Sequence, residues 1–131
     1  MLDLMIRTTV FAGLMLGLMA CGALSPAAAG KADVIEAAAS KSAPGIFDFS
    51  VTVRHADEGW KHYANKWEVV GPGGKVLATR VLYHPHVTEQ PFTRSLSGVK
   101  IPASVTEVTV RAGDTVHGLG GREVKVKISH N

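Results

Sequence analysis

The side chains best suited to chemistry are concentrated in residues 84–95. This segment reads His-Pro-His-Val-Thr-Glu-Gln-Pro-Phe-Thr-Arg-Ser, so two imidazoles, a carboxylate, an amide and a guanidinium occur within twelve residues. Such groups bind metal ions, transfer protons or hold anions. Their density exceeds what a connecting loop requires, so the segment is the first candidate for a functional site.

The two histidines of this segment have the spacing of a metal chelate. His84 and His86 are two residues apart, so their side chains point to the same face of an extended backbone, which the intervening proline favours. Glu89 offers an oxygen ligand, and His117 or His55 offers a third nitrogen from another loop. We predict a site for Zn²⁺, Cu²⁺ or Ni²⁺ at His84, His86, Glu89 and His117. The alternative is that one histidine donates to a backbone carbonyl and the other faces solvent.

The rest of the segment has two interpretations. Arg94 either holds a substrate anion with its two-pronged guanidinium or pairs with Glu89 in a network that stiffens the loop. Phe92 would anchor the loop to the core in both cases. Arg94 is therefore a candidate binding residue.

Residues 55–63 form a second dense loop. Trp60 and Tyr63 either make an aromatic platform for a sugar or a peptide or cover the end of the domain. His55, Trp60 and His62 are further candidates for ligand binding. Asp114 precedes His117 by three residues and could orient an imidazole, as carboxylates do around metal ligands.

Hydrolase chemistry has little support. Ser95, His117 and Asp114 are the residue types of a catalytic triad, but no nucleophile elbow accompanies them. A glycosidase needs two carboxylates across a cleft, which so small a domain does not offer. We predict no catalytic residues, and enzymatic activity ranks last among the functions considered.

The elements that position these loops are β-strands. In residues 46–54 apolar and polar side chains alternate, which is typical of a half-buried strand. Gly71-Pro72-Gly73-Gly74 is a hairpin turn between strands at 66–70 and 75–83. Further strands are predicted at 99–101, 107–112 and 124–128. Six to seven short strands predict an all-β fold, a single antiparallel immunoglobulin- or fibronectin-like β-sandwich, with a small β-barrel as the alternative.

The chain divides into three parts. Residues 1–29 have an apolar run after Arg7 and end in small residues, which is typical of a secretory signal peptide. Residues 30–45 are rich in Ala and Ser and are interpreted as a flexible tether, with a short helix from Asp33 as the alternative. Residues 46–131 form the β-sandwich domain.

Two destinations follow from the signal region. Cleavage after Ala29 would release the protein into the periplasm, whereas a lipobox ending at Cys21 would make it a lipoprotein of the outer membrane. No transmembrane segment would remain after cleavage in either case. The domain itself lacks Cys and Met, so only nitrogen and oxygen ligands are available to a metal.

The sequence constrains the binding partners of the protein less than it constrains the fold. The net charge is +3, and the basic residues are spread along the sequence, which favours solubility over nucleic-acid binding. We predict an exported periplasmic module that binds a small ligand, with a divalent metal as one choice. The alternative is an envelope protein-protein interaction or assembly module.

Residues 47–121 resemble a group of small exported proteins of Gram-negative bacteria. The resemblance rests on Gly59-Trp60, His62-Tyr63, Trp67-Glu68-Val69, the segment His-Pro-His-x-x-Glu-Gln-Pro-Phe-Thr-Arg-Ser at 84–95, and Val116-His117-Gly118. It implies export and a single domain. It implies no activity, because none is established for the group.

Overall fold

The computed structural model describes residues 30–131, which fold into eight β-strands without an α-helix. The strands are β1 (Asp33–Ala43), β2 (Ile46–Arg54), β3 (Ala64–Val70), β4 (Val76–Val81), β5 (Phe92–Lys100), β6 (Glu107–Asp114), β7 (Gly118–Leu119) and β8 (Val124–Lys127).

The strands form two antiparallel sheets. One sheet has the order β1-β2-β5, and the other has the order β4-β3-β6, with β7 and β8 both pairing with the far edge of β6. The sheets do not close into a barrel. The predicted β-sandwich is confirmed, and the barrel alternative is wrong.

The core lies between the sheets because each central strand has one apolar face. The predicted alternation in β2 is confirmed: Phe47, Phe49, Val51 and Val53 are buried, whereas the residues between them are more accessible. Trp67 of β3 is fully buried, as predicted for the core tryptophan. Burial of these large side chains supplies most of the driving force for the two sheets to pack.

The prediction of a flexible tether at residues 30–45 is wrong. Residues Asp33–Ala43 form β1, which pairs antiparallel with β2 along its length. Neither the tether nor the alternative helix occurs, because the segment pairs with β2 from Asp33 to Ala43, with register shifts after Val34 and after Lys41. The small side chains of Ala37 and Ala39 pack against the core in place of larger apolar groups.

The strand β5 is longer than predicted and begins at Phe92. Phe92 and Val99 are buried at its two ends. Between them the register with β2 shifts, at the step between Phe47 and Phe49. This irregularity breaks the alternation by which a strand is recognised in a sequence.

Three connections meet at one end of the sandwich, which we call the histidine end. They are the β2–β3 loop (55–63), the β4–β5 loop (82–91) and the β6–β7 turn (115–117). Antiparallel pairing brings them together, because β2, β4 and β6 all end where β3 and β5 begin. Five of the six histidines lie in these connections, and His130 bonds to the Val105 carbonyl at the opposite end.

Within the described range, no helix is long and apolar enough to cross a membrane. The predicted signal peptide (1–29) and the alternative lipid anchor at Cys21 lie outside the described residues.

Val34, which has no exposed surface, allows a test of whether β1 is a strand of the folded domain or a tether. Val34→Ala removes two methyl groups from the core and is expected to lower the free energy of unfolding by about 2 kcal/mol, measured by urea denaturation. Ser40→Ala, on the exposed face of the same strand, is the matched control and should change it little. Equal stability of the two variants would restore the tether interpretation.

Candidate functional site

The histidine end is organised around the buried carboxylate of Asp57. Its Oδ1 accepts hydrogen bonds from His55 Nδ1 at 2.6 Å and from the Ala64 backbone N–H at 2.9 Å. Its Oδ2 accepts from the His86 backbone N–H at 2.7 Å. One side chain therefore joins the end of β2, the start of β3 and the β4–β5 loop.

Gln90 adds a second link between the same loops. Its Oε1 accepts from the His55 backbone N–H at 3.0 Å, and its Nε2 donates to the His86 carbonyl at 3.0 Å. Side chains thus hold the backbone of both the β2–β3 loop and the β4–β5 loop. Backbone groups that lack a strand partner are satisfied in this way.

The ring of His55 lies between two acceptors. Nδ1 faces the Asp57 carboxylate, and Nε2 lies 2.9 Å from the Gly30 carbonyl oxygen. Both partners are oxygen acceptors, so the ring is held in place from its two nitrogens. His55 thereby connects the chain before β1 to the Asp57 network.

The second buried carboxylate, Asp114, uses its two oxygens unequally. Oδ1 accepts from the backbone N–H groups of His117 at 2.7 Å and Val116 at 2.9 Å, and it also contacts His62 Nε2 at 3.0 Å and His117 Nδ1 at 3.2 Å. Oδ2 is buried and has no hydrogen-bond partner within residues 30–131. Asp114 therefore has one buried acceptor oxygen without a hydrogen bond from the described residues.

The hydrogen bonds to Asp114 also determine its charge. Burial alone would raise the pKa of this carboxyl, but the N–H groups of His117 and Val116 and the His117 ring outweigh burial, and the pKa lies below its ordinary value. Asp114 is therefore ionised at neutral pH, as a metal ligand must be.

Three buried side chains form the group best placed to hold a metal ion. His55, His62 and Asp114 each offer a ligand atom, and these atoms lie within 4.8 Å of one another. The rings of His55 and His62 are in contact, with centroids 4.7 Å apart. Among residues 30–131, no other set of three His, Cys, Asp or Glu residues meets this criterion.

The predicted ligand set of His84, His86, Glu89 and His117 is not brought together. The rings of His84 and His86 lie side by side with centroids 4.7 Å apart, but His117 belongs to the Asp114 cluster. The reason is that β6 directs its final turn towards the β2–β3 loop, where His117 lies 5.0 Å from His62 between ring centroids.

His86 is a packing residue in this structure. Its ring stacks on Phe92 with centroids 4.0 Å apart and an interplanar angle of 12°, and its Nε2 accepts from Arg94 at 2.9 Å. Because a ring that accepts from a guanidinium is neutral, its proton sits on Nδ1, which is buried without a partner in the described chain. Burial, the Arg94 charge and His84 lower the pKa of His86.

Arg94 stabilises the β4–β5 loop by pairing with Glu89, which is one of the two roles predicted for it. Its guanidinium pairs with Glu89 at 3.3 Å and bonds to the Thr93 carbonyl at 2.7 Å. The Arg94 hydrogen bond lowers the pKa of Glu89. Phe92, 1% exposed, anchors the loop as predicted. Arg94, which lies in β5, thus already bonds to Glu89 and His86 of the loop and to its neighbour Thr93.

The aromatic residues of the β2–β3 loop are accessible. Trp60 is 69% exposed and packs edge-on against Tyr63, with ring centroids 5.7 Å apart. Trp60 therefore does not cover the end of the core, which is the role that the alternative interpretation assigned to it. It remains a candidate binding residue.

Sequence reasoning placed Asp114 as an orienting carboxylate and left Asp57 among several polar loop residues. A local signal exists for the first, because Asp114 and His117 are three residues apart in a tight turn. No local signal identifies the second, since Asp57 receives hydrogen bonds from residues as far along the chain as His86.

Comparison with known proteins identifies one similar curated protein. It is named "Putative lipoprotein", comes from the archaeon Halomicrobium mukohataei, and is 38% identical over 96 residues, which are 73% of this chain and 47% of the relative. The chain thus spans about half the length of the relative that it matches. No protein-family model matches the chain, and no solved structure matches it. The resemblance to exported proteins of Gram-negative bacteria stays a prediction.

Asp57→Asn tests the central role of this carboxylate. An amide would present an N–H₂ group to at least one N–H donor and would leave His55 without a charged partner, so we expect the free energy of unfolding to fall by about 3 kcal/mol or more. Urea denaturation measures the loss. Glu58→Gln, at the exposed neighbouring carboxylate, is the control and should have little effect. Equal effects of the two substitutions would contradict the assignment.

The lowered pKa of His86 predicts a pH-dependent stability. The unfolded ring takes up its proton near the ordinary value of 6.5, and the folded ring takes it up at lower pH. The contribution of His86 is therefore complete above about pH 6.5 and is lost as the pH falls through the folded value. The stability difference between the native protein and His86→Gln should shrink as the pH falls below about 6.5. A difference that stays constant as the folded protein is acidified from neutral pH would contradict the prediction.

Proposed function

We propose that this protein is an exported β-sandwich domain that binds a divalent metal ion at the histidine end through His55, His62 and Asp114. The observation that carries the proposal is the convergence of their three ligand atoms within 4.8 Å of one another in a buried cluster. Export is supported by the name of the similar archaeal protein, which is that of a lipoprotein.

The ligand types favour a borderline metal. Two imidazole nitrogens and one carboxylate oxygen suit Zn²⁺, Cu²⁺ or Ni²⁺, whereas Mg²⁺ and Ca²⁺ prefer oxygen ligands. Three protein ligands would leave a coordination position for water or for an external ligand, as in zinc sites that interact with substrates. The proposal extends to binding and includes no reaction.

The surroundings of the three ligands resemble those of known metal sites. A metal-binding histidine usually donates its other N–H to a carboxylate or a backbone carbonyl. Asp57 provides this contact for His55 Nδ1 at 2.6 Å. Metal binding through Nε2 would replace its contact with the Gly30 carbonyl. Because imidazoles bind metals in their neutral form, affinity should fall in acid.

In this proposal Asp114 would bind the metal through the oxygen that has no hydrogen bond. The two backbone N–H groups hold Oδ1 in place, and Oδ2 is buried without a hydrogen bond from the described residues. A buried carboxylate oxygen without a partner is unfavourable, and a cation would satisfy it. This supports a metal more strongly than proximity alone.

Calorimetric titration of the purified, chelator-treated protein with Zn²⁺, Cu²⁺ and Ni²⁺ tests the proposal. We expect saturable binding that weakens by at least about 10- to 100-fold in His62→Ala and Asp114→Asn, since even residues that only orient ligands contribute this much. His84→Ala, which removes an exposed histidine at the same end, is the matched control and should bind like the native protein. Circular dichroism confirms that each variant is folded.

Two outcomes would contradict the proposal. Loss of binding in His84→Ala with retention in His62→Ala would place the metal at the pair predicted from the sequence. Absence of binding for all three metals would favour an envelope interaction module instead. That second candidate is supported by large apolar side chains exposed in the loops of the histidine end: Trp60 69%, Tyr83 74%, Val87 57% and Val116 58%.

A further inference from the structure

A basic pocket lies beside the start of β1, next to the histidine end. It is open to solvent, has a volume of about 570 Å³, and is lined by Lys31, Arg54 and Arg122 together with the backbone of Gly120 and Gly121. These cations come from three distant parts of the chain, so their proximity is produced by the fold alone.

The three cations have little local compensation. Asp33 is the single carboxylate of the pocket, and its Oδ1 already accepts the backbone N–H of Arg122 at 2.7 Å. Within residues 30–131, the side chains of Lys31, Arg54 and Arg122 form no ion pair with a carboxylate. Three cations that line one pocket give it a positive potential, which favours a bound anion.

Two glycines allow the pocket to form. A side chain at Gly121 would collide with the Ala32 carbonyl oxygen, so only glycine lets the 120–122 segment approach the chain before β1 this closely. Gly120 has a φ of +129°, and a Cβ there would lie 3.0 Å from Lys31 Nζ. The approach is secured by the Val34 backbone N–H, which donates to the Arg122 carbonyl at 2.9 Å.

We propose that this pocket binds an oxyanion of the phosphate type. Two guanidinium groups and one ammonium group are the donors that recognise phosphate oxygens, through paired N–H donors and through point charge respectively. Such an anion exists as free phosphate and as the headgroup of an anionic phospholipid. Both sources present the same chemistry to the three cations.

The oxyanion site lies next to the proposed metal site but has its own charged residues. His55 lines both, because its Nε2 bonds to the Gly30 carbonyl at the edge of the pocket, but none of the three cations is a metal ligand. Lys31 and Arg122 are the better positions to vary, since Arg54 is the direct neighbour of His55 in the chain. Experiments can therefore refute the oxyanion proposal and the metal proposal independently.

The test is a calorimetric titration of the purified, chelator-treated protein with inorganic phosphate at low ionic strength. We expect binding that weakens with added salt and drops by about tenfold or more in the Lys31→Gln/Arg122→Gln variant, because charged hydrogen bonds are lost. Lys75→Gln/Lys100→Gln removes the same charge from exposed lysines elsewhere and is the matched control. Zinc titration of both double variants is the control for the metal site, and zinc affinity should equal that of the native protein.

Vesicle flotation identifies the source of the anion. Vesicles of phosphatidylcholine with and without phosphatidylglycerol are compared for the native protein and both double variants. Phosphatidylglycerol-dependent binding that is lost in Lys31→Gln/Arg122→Gln and kept in the control supports the pocket with a lipid headgroup as its ligand. Equal binding by the two double variants, or binding of neither phosphate nor vesicles by the native protein, would overturn the proposal.

Discussion

The histidine end of this protein depends on the burial of one carboxylate. Asp57 accepts hydrogen bonds from His55, Ala64 and His86, which belong to two loops and a strand. A buried charge is tolerated only where hydrogen bonds and an opposite charge replace its hydration. Satisfying Asp57 therefore requires the three segments to meet at one point, and their positions follow from that requirement.

The need to compensate charge also distinguishes the two proposed sites near Asp57. At the proposed metal site, Asp114 contacts the imidazoles of His62 and His117. Its other oxygen is buried without a hydrogen bond from the described residues, and a donor or a cation would satisfy it. At the proposed oxyanion site, Lys31, Arg54 and Arg122 line a pocket with a single carboxylate, which is already in use. His55 lies between them: its ring contacts the His62 ring of the first region, and its Nε2 bonds to the Gly30 carbonyl at the edge of the second. The end of the sandwich thus has one region suited to a cation and another suited to an anion.

Much of the fold was predictable because strands with one buried face alternate. The alternation in 46–54 and the burial of Trp67 are both observed. The alanine-rich segment before them was predicted as a tether and is a strand, β1. Alanine is small enough to pack on a core face without an obvious apolar signal. The start of β5 was missed because polar Thr93, Arg94 and Ser95 follow Phe92, and the register shift between Leu96 and Val99 then breaks the alternation.

The sequence by itself determined the all-β class, the loops rich in reactive side chains, and a domain in which only nitrogen and oxygen can bind a metal. The tertiary structure decided which of those side chains meet. It placed His117 beside His62 rather than beside His84, and it joined His62 to Asp114 across 52 residues of chain. It also gathered basic residues that looked dispersed into one pocket. Residues far apart in sequence become neighbours through strand pairing, and no local pattern encodes which loops then share an end of the sandwich.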